Sequence, residues 1–337
     1  MYLGTCTTFT NLNYENRLNE VGTCRFNLSI YDRFASKQFI KRFGNVVVVK
    51  KDGEIVWFGT IGSVSGNYAD VEGTITVDCY TYLYYLKFRN TNKFVYFNDV
   101  PQQEIAWNLI NATQNKENGF LGIVRGSYTT ERQRDRTYEN AEICQHLQYL
   151  TQVIDGFDFD FNPIVDNNGL FSGTTFDCYY PYKGTVRNDL GVLSNENGIV
   201  SLELSTESGL GNVAIVEGAG NGDVIRYEIS DTDMQEKYTR IEAYEKASDV
   251  SEVDTLKAHA SKLLEDKVER YALSVEVMSE GAFTVNNLEL GDVITMNIDM
   301  GNYLQMKNVQ ARILSIPVAV DDNGVDKIKL GLQVYGN

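Results

Sequence analysis

The chain has 337 residues, and its 30 lysine and arginine residues against 46 aspartate and glutamate residues give a formal net charge of −16 at pH 7. A charge this negative argues against a protein that grips nucleic acid through its phosphates. Hydrophobic residues make up 43% of the chain and aromatic residues 12%, which excludes a disordered protein. The 21 tyrosines and 16 phenylalanines favour β structure and broad contact surfaces.

The cysteines and the N-terminus both indicate a soluble protein made in a cytosol. The 5 cysteines are odd in number and widely spaced, as expected of small buried side chains in a reducing compartment. The first residues show no basic segment followed by an apolar run, so no secretory signal is visible. No stretch approaches the ~20 apolar residues of a membrane-spanning helix, and we expect no membrane span.

The N-terminal region has the pattern of β-strands. Apolar and polar residues alternate from Cys24 to Ile30, which is typical of a half-buried strand. Four consecutive valines, Val46–Val49, precede a predicted turn at Lys50–Gly53, and Glu54–Ile61 returns as the hairpin partner. Thr74–Lys87, rich in tyrosine and threonine, predicts another strand.

From residue 98 the hydrophobic period becomes helical. Pro101 indicates a helix start, because proline is favoured in the first turn. A second helix is predicted over Thr137–Ile154, with its apolar residues on one face. Strict alternation then predicts a strand at Phe157–Phe161, a turn at Asp166–Gly169 and an aromatic strand at Phe176–Tyr182.

The C-terminal region returns to β structure around one long helix. Ser251, with Asp254 three residues later, resembles a capping box at the start of a helix over Val253–Arg270. Leu290-Gly291-Asp292 leads into a strand, and a last hairpin turns at Asp321–Gly324.

These patterns predict a mainly β fold with an α+β insertion. We expect an N-terminal β domain over residues 1–97, an inserted α+β domain over 98–198, and a C-terminal β-rich domain with one long helix over 199–337.

The sequence offers few residues for catalysis. His146 and Cys144 fall on one predicted helix, where side chains two positions apart do not share a face, so they do not form a nucleophile and base pair. His259 lies on a predicted solvated helix face, and the glycines of Gly218–Gly222 have the wrong spacing for a dinucleotide-binding fingerprint. We therefore expect no enzyme activity, no cofactor and no metal site.

Carboxylates are plentiful, and two of them lie close together on a predicted strand. Asp158 and Asp160 share one face of the strand predicted at Phe157–Phe161, with phenylalanines on the other face. Paired carboxylates can serve glycoside hydrolysis. A polar strand face turned toward water or a partner is the simpler interpretation.

One charge pattern is a candidate contact with another chain. Arg132, Arg134 and Arg136 alternate with polar residues in an otherwise acidic protein. In an extended segment the three guanidinium groups line one side. Arginine suits ion pairs at protein interfaces, so we expect these residues to contact a neighbouring subunit, with a solvated loop as the alternative.

The order of elements in the C-terminal third carries a resemblance to a known family. A helix over Val253–Arg270, a strand at Leu273–Met278, the segment Leu288–Thr295, and a strand at Met306–Ile316 with a final hairpin follow one another. In the N-terminal third, the segment Val56–Ile61 is similar to a hairpin of the same family. The chain resembles the tail hub proteins of tailed bacteriophages, which form the baseplate or tail-tip hub.

The resemblance implies two β-barrel-like domains in each subunit and a homotrimer with six barrel-like units in a ring. Such a ring would contact the tail tube protein on one side and the distal tail protein and a tip or fibre protein on the other. DNA would pass through the lumen without specific binding, and an acidic surface suits that passage. The protein would be part of the virion tail, assembled in the host cytoplasm.

Other classes of function stay open at this point. The chain could be another component of a tail or injection machine. Exposed tyrosines could stack on sugars in a carbohydrate- or receptor-binding protein of the virion. A glycoside hydrolase that uses carboxylates such as Asp158 and Glu203 is a further alternative.

Overall fold

The computed structural model describes residues 2–92, 94–128, 132–153, 155–206, 211–218, 225–247, 253–267, 270–321 and 323–335. In chain order the strands are β1 Thr10–Arg17, β2 Thr23–Ser29, β3 Val46–Lys51, β4 Glu54–Ala69, β5 Glu72–Tyr80, β6 Val95–Pro101, β7 Ile123–Tyr128, β8 Gln133–Tyr138, β9 Asp158–Val165, β10 Phe171–Tyr179, β11 Val192–Leu193, β12 Ile199–Thr206, β13 Val213–Gly218, β14 Ile225–Ser230, β15 Glu242–Ala247, β16 Arg270–Val277, β17 Val293–Asp299, β18 Gln305–Val320 and β19 Asp326–Tyr335. The α-helices are α1 Gln102–Gln114, α2 Ile143–Gln152, α3 Thr232–Lys237 and α4 Val253–Asp266, and 3-10 helices cover Arg33–Ala35, Tyr82–Phe88 and Asn188–Leu190.

The chain divides into two compact units. The first contains residues 1–202 and 274–332, and the second contains residues 203–273 and 333–337. Strands β12, β16 and β19 cross the boundary between these ranges, so each contributes residues to both units. The expected mainly β fold with a helix-containing middle region is confirmed.

In the first unit, strands from the two ends of the sequence share one sheet. Its order runs β19-β18-β1-β2-β5-β4-β3, and β17 pairs with β18 and β11. The buried Tyr14 on β1 lies opposite Val318 on β18 and opposite Cys24 on β2. Alternation along these strands places apolar side chains on one face, and that face forms the core.

The helices α1 and α2 pack in the first unit beside two small sheets, β7-β10-β9 and β6-β8. One core joins this middle region to the N-terminal strands, since its buried residues include Phe58 and Leu83 together with Ile110, Leu147 and Phe176. In both helices, the apolar residues that recur at helical spacing are buried.

The second unit contains a three-stranded sheet, β14-β13-β15, covered by α4. Strand β13 is the central strand and is buried along most of its length, as expected of an almost continuous apolar run. Its core consists of small and aliphatic side chains from the sheet and the helix: Ala214, Val216, Ala247, Leu256 and Ala260.

The local predictions agree with the structure at most turns. Asp52 and Gly53 both have positive φ between β3 and β4, which is the backbone of a tight two-residue hairpin. The helix expected after Pro101 begins at Gln102. The predicted capping residue Ser251 and positions 219–222 of the glycine cluster lie outside the described residues.

The second helix begins later than its spacing predicted. Thr137 and Tyr138 belong to β8, where Tyr138 lies opposite Val95 on β6, and α2 starts only at Ile143. Strand pairing and burial of Tyr138 outweigh helical spacing there. The C-terminal helix also ends at Asp266, before the predicted Arg270, which opens β16. Among the described residues, no helix has both the length and the apolar character to cross a membrane.

Candidate functional site

The arginine segment singled out in the sequence is extended. Arg134 and Arg136 lie on β8, opposite Val100 and Phe97 of β6, and Arg132 immediately precedes the strand. Residues two apart on a strand point to the same side, so Arg134 and Arg136 share one side of β8.

Arg134 forms hydrogen bonds within its own subunit. Its Nε donates to Oε1 of the fully buried Gln102 at 3.0 Å, and its Nη2 donates to the backbone oxygen of Asp155 at 3.3 Å. Gln102 in turn donates from Nε2 to the same backbone oxygen at 2.7 Å. Burial, followed by the like charges of Arg136 and Arg132, lowers the pKa of Arg134 to about 10, so it is still cationic at pH 7. Arg134 thus fixes the start of α1.

Of the two flanking arginines, Arg132 is exposed, whereas Arg136 is half-buried like Arg134. Arg132 approaches a carboxylate only loosely, with Nη1 3.7 Å from Oδ2 of Asp155. Arg136 donates from Nη1 to the backbone oxygen of its neighbour Asp135 at 2.9 Å. Arg132, Arg134 and Arg136 together stay the candidate contact surface, and Arg134 in addition anchors the start of α1.

A buried ion network lies elsewhere in the first unit, around Asp158 and Asp160. Asp158 is 5% exposed. It accepts from Nδ2 of Asn19 at 2.7 Å, from the backbone N–H of Lys183 at 2.7 Å, and from Nη2 of Arg312. Arg312 Nη2 also donates to the backbone oxygen of Lys183 at 3.2 Å.

The second carboxylate of this strand has its own cation. Asp160 forms an ion pair with Nζ of Lys183, whose side chain is largely buried. Burial is the largest single influence on the pKa of Lys183 and would lower it, but the charge of Asp160 and the hydrogen bond to it, with smaller contributions from Tyr179 and Glu289, together raise the pKa above its ordinary value. Both carboxylates are therefore engaged by cationic side chains of the same unit.

The Leu290-Gly291-Asp292 motif contacts the segment 183–187, which follows the middle region. Asp292 is buried and accepts from the backbone N–H of Thr185 at 2.9 Å, from that of Glu289 at 3.2 Å, and from Nη1 of Arg187 at 3.0 Å. Gly291 has φ +87, and a Cβ there would lie 2.3 Å from the backbone oxygen of Lys183. Only glycine permits this backbone approach.

An open cleft of about 430 Å³ lies beside the network. Its lining includes Asn162, Tyr179, Tyr182, Lys183 and Glu289. The exposed Tyr182 ring lies 5.1 Å from the guanidinium carbon of Arg312. The cleft combines aromatic and hydrogen-bonding groups, while Lys183 and Arg312 are already paired with carboxylates.

The histidines and cysteines do not assemble into a catalytic group. His146 lies between Tyr138 and Tyr149, with ring centroids 4.9 and 5.5 Å away, and burial lowers its pKa. Burial raises the pKa of Cys144 to about 11, so its thiol stays protonated at pH 7. His259 contacts Glu245, with Nδ1 3.2 Å from Oε1. Within the described ranges, no group of three metal-ligating residues is present.

The sequence contained the members of the ion network but no signal that joins them. Asp158 and Arg312 lie 154 positions apart. The one local hint is Gly291, since a glycine directly before a buried aspartate at a strand entry is typical of close backbone contact.

The fold matches solved phage tail proteins along nearly its whole length. The 43 kDa tail protein of prophage MuSo2 from Shewanella oneidensis has a TM-score of 0.64 at 13% identity, covering 97% of this chain and 94% of that chain. The tail protein from Neisseria meningitidis MC58 also gives 0.64 at 13% identity, covering 96% and 91%. The E. coli c3393 protein, a component of the type VI secretion system, gives 0.55 at 9% identity, covering 98% and 74%.

No protein-family profile and no curated protein sequence matches the chain. The structural matches nonetheless cover most of this chain and most of each of the two tail proteins. The chain has the fold of phage tail proteins, which confirms the resemblance found in its sequence.

Proposed function

We propose that the chain is a structural hub protein of a phage tail tip or baseplate, forming a ring that joins the tail tube to the distal tip. The observation that carries the proposal is the fold match to the Shewanella oneidensis prophage tail protein, which covers 97% of this chain and 94% of that chain. A match to an entire tail protein supports the same structural task more strongly than a match to one shared domain would.

The proposed assembly is a homotrimer that lines the channel for DNA. Two barrel-like domains in each subunit, at residues 1–97 and 199–337 with an insertion at 98–198, would present six similar units to a tail tube. The neighbours would be the tail tube protein, the distal tail protein and a tip or fibre protein. The net charge of −16 supports a lumen that DNA crosses without binding.

The buried ion network is consistent with a protein that serves as a permanent structural component of a tail. Arg312 of β18 and Asp158 of β9 join the C-terminal strands to the middle region, with few exposed atoms. The proposal is that this joint keeps the subunit rigid when tail neighbours pull on it. A protein without a catalytic role also accords with the protonated Cys144 thiol and the pairing of both strand carboxylates.

The test is to locate the chain in purified particles and to count its copies in the ring. Antibody labelling and electron microscopy of purified tails should place the chain at the distal end of the tube, as a ring of three copies. Labelling along the tube, or absence from purified particles, would contradict the proposal. Loss of distal tips when the coding sequence is deleted is the matching genetic result.

A carbohydrate-binding role is the second candidate, and the cleft beside Tyr182 favours it. An exposed tyrosine ring next to Asn162 and Glu289 offers a stacking platform with hydrogen-bonding groups, as sugar sites require. A glycan array answers this question directly. Specific binding that Tyr182→Ala abolishes would support a receptor-binding protein of the virion.

A further inference from the structure

Four aromatic rings form a connected surface cluster in the first unit. The rings of Tyr80 and Tyr84 stack with centroids 4.1 Å apart, and Phe43 continues the stack 5.8 Å from Tyr84. Phe88 lies edge-on to both, 5.1 Å from Phe43 and 5.1 Å from Tyr84. We call Phe43, Tyr80, Tyr84 and Phe88 the aromatic patch.

The outer rings of the patch are open to solvent. Phe43 is 38% exposed and Phe88 is 60% exposed. Large apolar side chains that cluster at the surface are rarer than isolated ones, and they mark interaction sites. Because the rings hold one another in fixed orientations, little side-chain entropy would be lost when a partner covers them.

The backbone conformation and hydrogen bonds around Phe43 hold the rings of the patch in place. Phe43 has φ +54, a conformation that a bulky residue rarely adopts. Its N–H donates to the backbone oxygen of Ile61 at 2.9 Å, and Nε of Arg42 donates to that of Gly62 at 2.7 Å. A Cβ on Gly62 would lie 2.4 Å from the Tyr80 ring, so glycine makes room for the stack. Unfavourable backbone held by specific bonds is typical of functional positions.

The two segments that carry most of the patch are rich in basic residues, although the protein as a whole is acidic. Between Asp32 and Asp52 the sequence holds six basic residues and no acidic one. Between Asp78 and Asp99 it holds three more basic residues and again no acidic one. Both segments contribute rings to the patch, and Lys41, Arg42 and Lys87 beside those rings are exposed. Basic residues are thus concentrated where the apolar rings emerge.

We propose that the aromatic patch is the surface through which one copy of this chain docks onto the acidic surface of the next copy, an inference that rests on the proposed ring. A closed ring needs two different, complementary surfaces on each subunit. The rest of the chain, which carries the large excess of acidic residues, supplies the partner for a basic, aromatic face. Aromatic residues and arginine are also the residue types that dominate binding energy at protein interfaces.

Nucleic acid is the other occupant that basic and aromatic groups could suggest. Proteins that bind single strands leave ring faces free for bases to stack upon. Here the faces of Tyr84 are occupied by Tyr80 and Phe43, with Phe88 packed against its edge. The net charge of −16 also repels phosphates. The geometry favours a protein partner.

The test compares self-association of the full chain with that of Phe43→Asn combined with Phe88→Ser. Asparagine tolerates positive φ, so the first change removes the ring without forcing the backbone to refold. Tyr303→Ser is the matched control, because Tyr303 is 71% exposed and lies in the loop between β17 and β18. Sedimentation equilibrium should show an apparent dissociation constant raised at least ~30-fold by the double change and less than ~3-fold by the control.

Two charge-reversal variants distinguish local attraction at the patch from the overall repulsion between copies. Lys87→Glu and Lys307→Glu change the net charge equally, and both side chains are exposed. At low salt we expect Lys87→Glu to weaken association ~10-fold more than Lys307→Glu does. At high salt this difference between the two variants should shrink, because salt screens local charge pairs.

Three outcomes would overturn the inference. The first is equal association of patch and control variants, with circular dichroism showing that both fold. The second is a wild-type chain that stays monomeric at every concentration. The third is DNA binding that the double change abolishes. None of these results bears on whether antibodies find the chain at the tail tip, so the proposed function is judged separately.

Discussion

Arg312 on β18 donates from Nη2 to Oδ2 of Asp158 on β9, although the two residues lie 154 positions apart in the chain. Their side chains are only 11% and 7% exposed. Two charges removed from water in this way stabilise the fold only while both are present, because either one alone would be buried without compensation. The pair therefore acts as a lock between the middle region and the C-terminal strands.

The first prediction concerns this lock. Asp158→Asn leaves the guanidinium of Arg312 buried beside a neutral amide and should lower the free energy of unfolding by ~3–5 kcal/mol. Urea denaturation measures the loss. Glu20→Gln is the control, since Glu20 pairs with Arg17 at the surface at 3.1 Å and its loss should cost less than ~1 kcal/mol. Equal costs for the two variants would show that the buried pair is not a lock.

The second prediction separates close backbone contact from backbone conformation. Gly291 and Gly301 both have positive φ, +87 and +64, but only Gly291 lies against other backbone. Gly301→Ala should cost ~1 kcal/mol from its conformation alone. Gly291→Ala must also displace the backbone oxygen of Lys183 and should cost ~1–3 kcal/mol more. Thermal denaturation of both variants checks the difference, and similar melting temperatures would refute the role assigned to the motif.

The contrast between local and long-range order explains what the sequence could predict. The β3–β4 hairpin was predictable because its strands are adjacent in sequence and the turn between them has a residue type that accepts positive φ. The pairing of Tyr14 with Val318 was not, since either strand could pair with several others of similar pattern. The mainly β class followed from composition, whereas the sheet that joins both ends of the chain did not.

The candidate site divides in the same way. The alternation of Arg132, Arg134 and Arg136 places the guanidinium groups on one side only if the segment is extended, and β8 is a strand. Nothing in that alternation shows that Arg134 would reach the buried Gln102. Likewise, the carboxylates of Asp158 and Asp160 were visible in the sequence, but their cations come from distant positions that only folding brings near.

The third prediction concerns acid. Burial lowers the pKa of His146, and Glu142 opposes this only in part. Because the unfolded chain takes up the proton more readily, stability from this residue is present above its unfolded pKa of ~6.5 and is lost as the pH falls below it. His146→Phe keeps an aromatic ring between Tyr138 and Tyr149 and should lose less stability between pH ~7.5 and ~5 than the wild type. Urea midpoints at the two pH values measure this, and parallel losses would contradict it.

The fourth prediction distinguishes the anchor from the contact surface. Arg132→Glu with Arg136→Glu should reduce tail assembly while changing the free energy of unfolding by less than ~1 kcal/mol, because Arg132 is exposed and the half-buried Arg136 donates to the backbone oxygen of the adjacent Asp135. Arg134→Glu should instead destabilise the isolated subunit by ~2 kcal/mol or more, since it removes the donor to buried Gln102. Assembly at normal yield in the double variant would mean that Arg132 and Arg136 belong to a solvated surface.

The fifth prediction is the salt dependence of the proposed ring. Copies that each carry −16 repel one another, so association needs contacts large enough to overcome that repulsion. Salt shortens the reach of the repulsion, with a Debye length of ~30 Å at 0.01 M and ~8 Å at physiological strength. The trimer should therefore form at lower protein concentration as salt rises, which light scattering across a salt series measures.

The arrangement of charge within that ring follows from the same repulsion. In the proposed ring, acidic groups on an inner wall would keep passing DNA from binding, and at the contacts between subunits acidic groups would favour assembly only where they face the basic residues of the next copy. A closed ring is also favoured over an open chain of subunits, because an open chain leaves unsatisfied surfaces at its ends. Electron microscopy of the native particle decides both points. A lone peripheral monomer, or a lumen lined mainly by lysine and arginine, would reverse the assignment of the acidic surface to the channel.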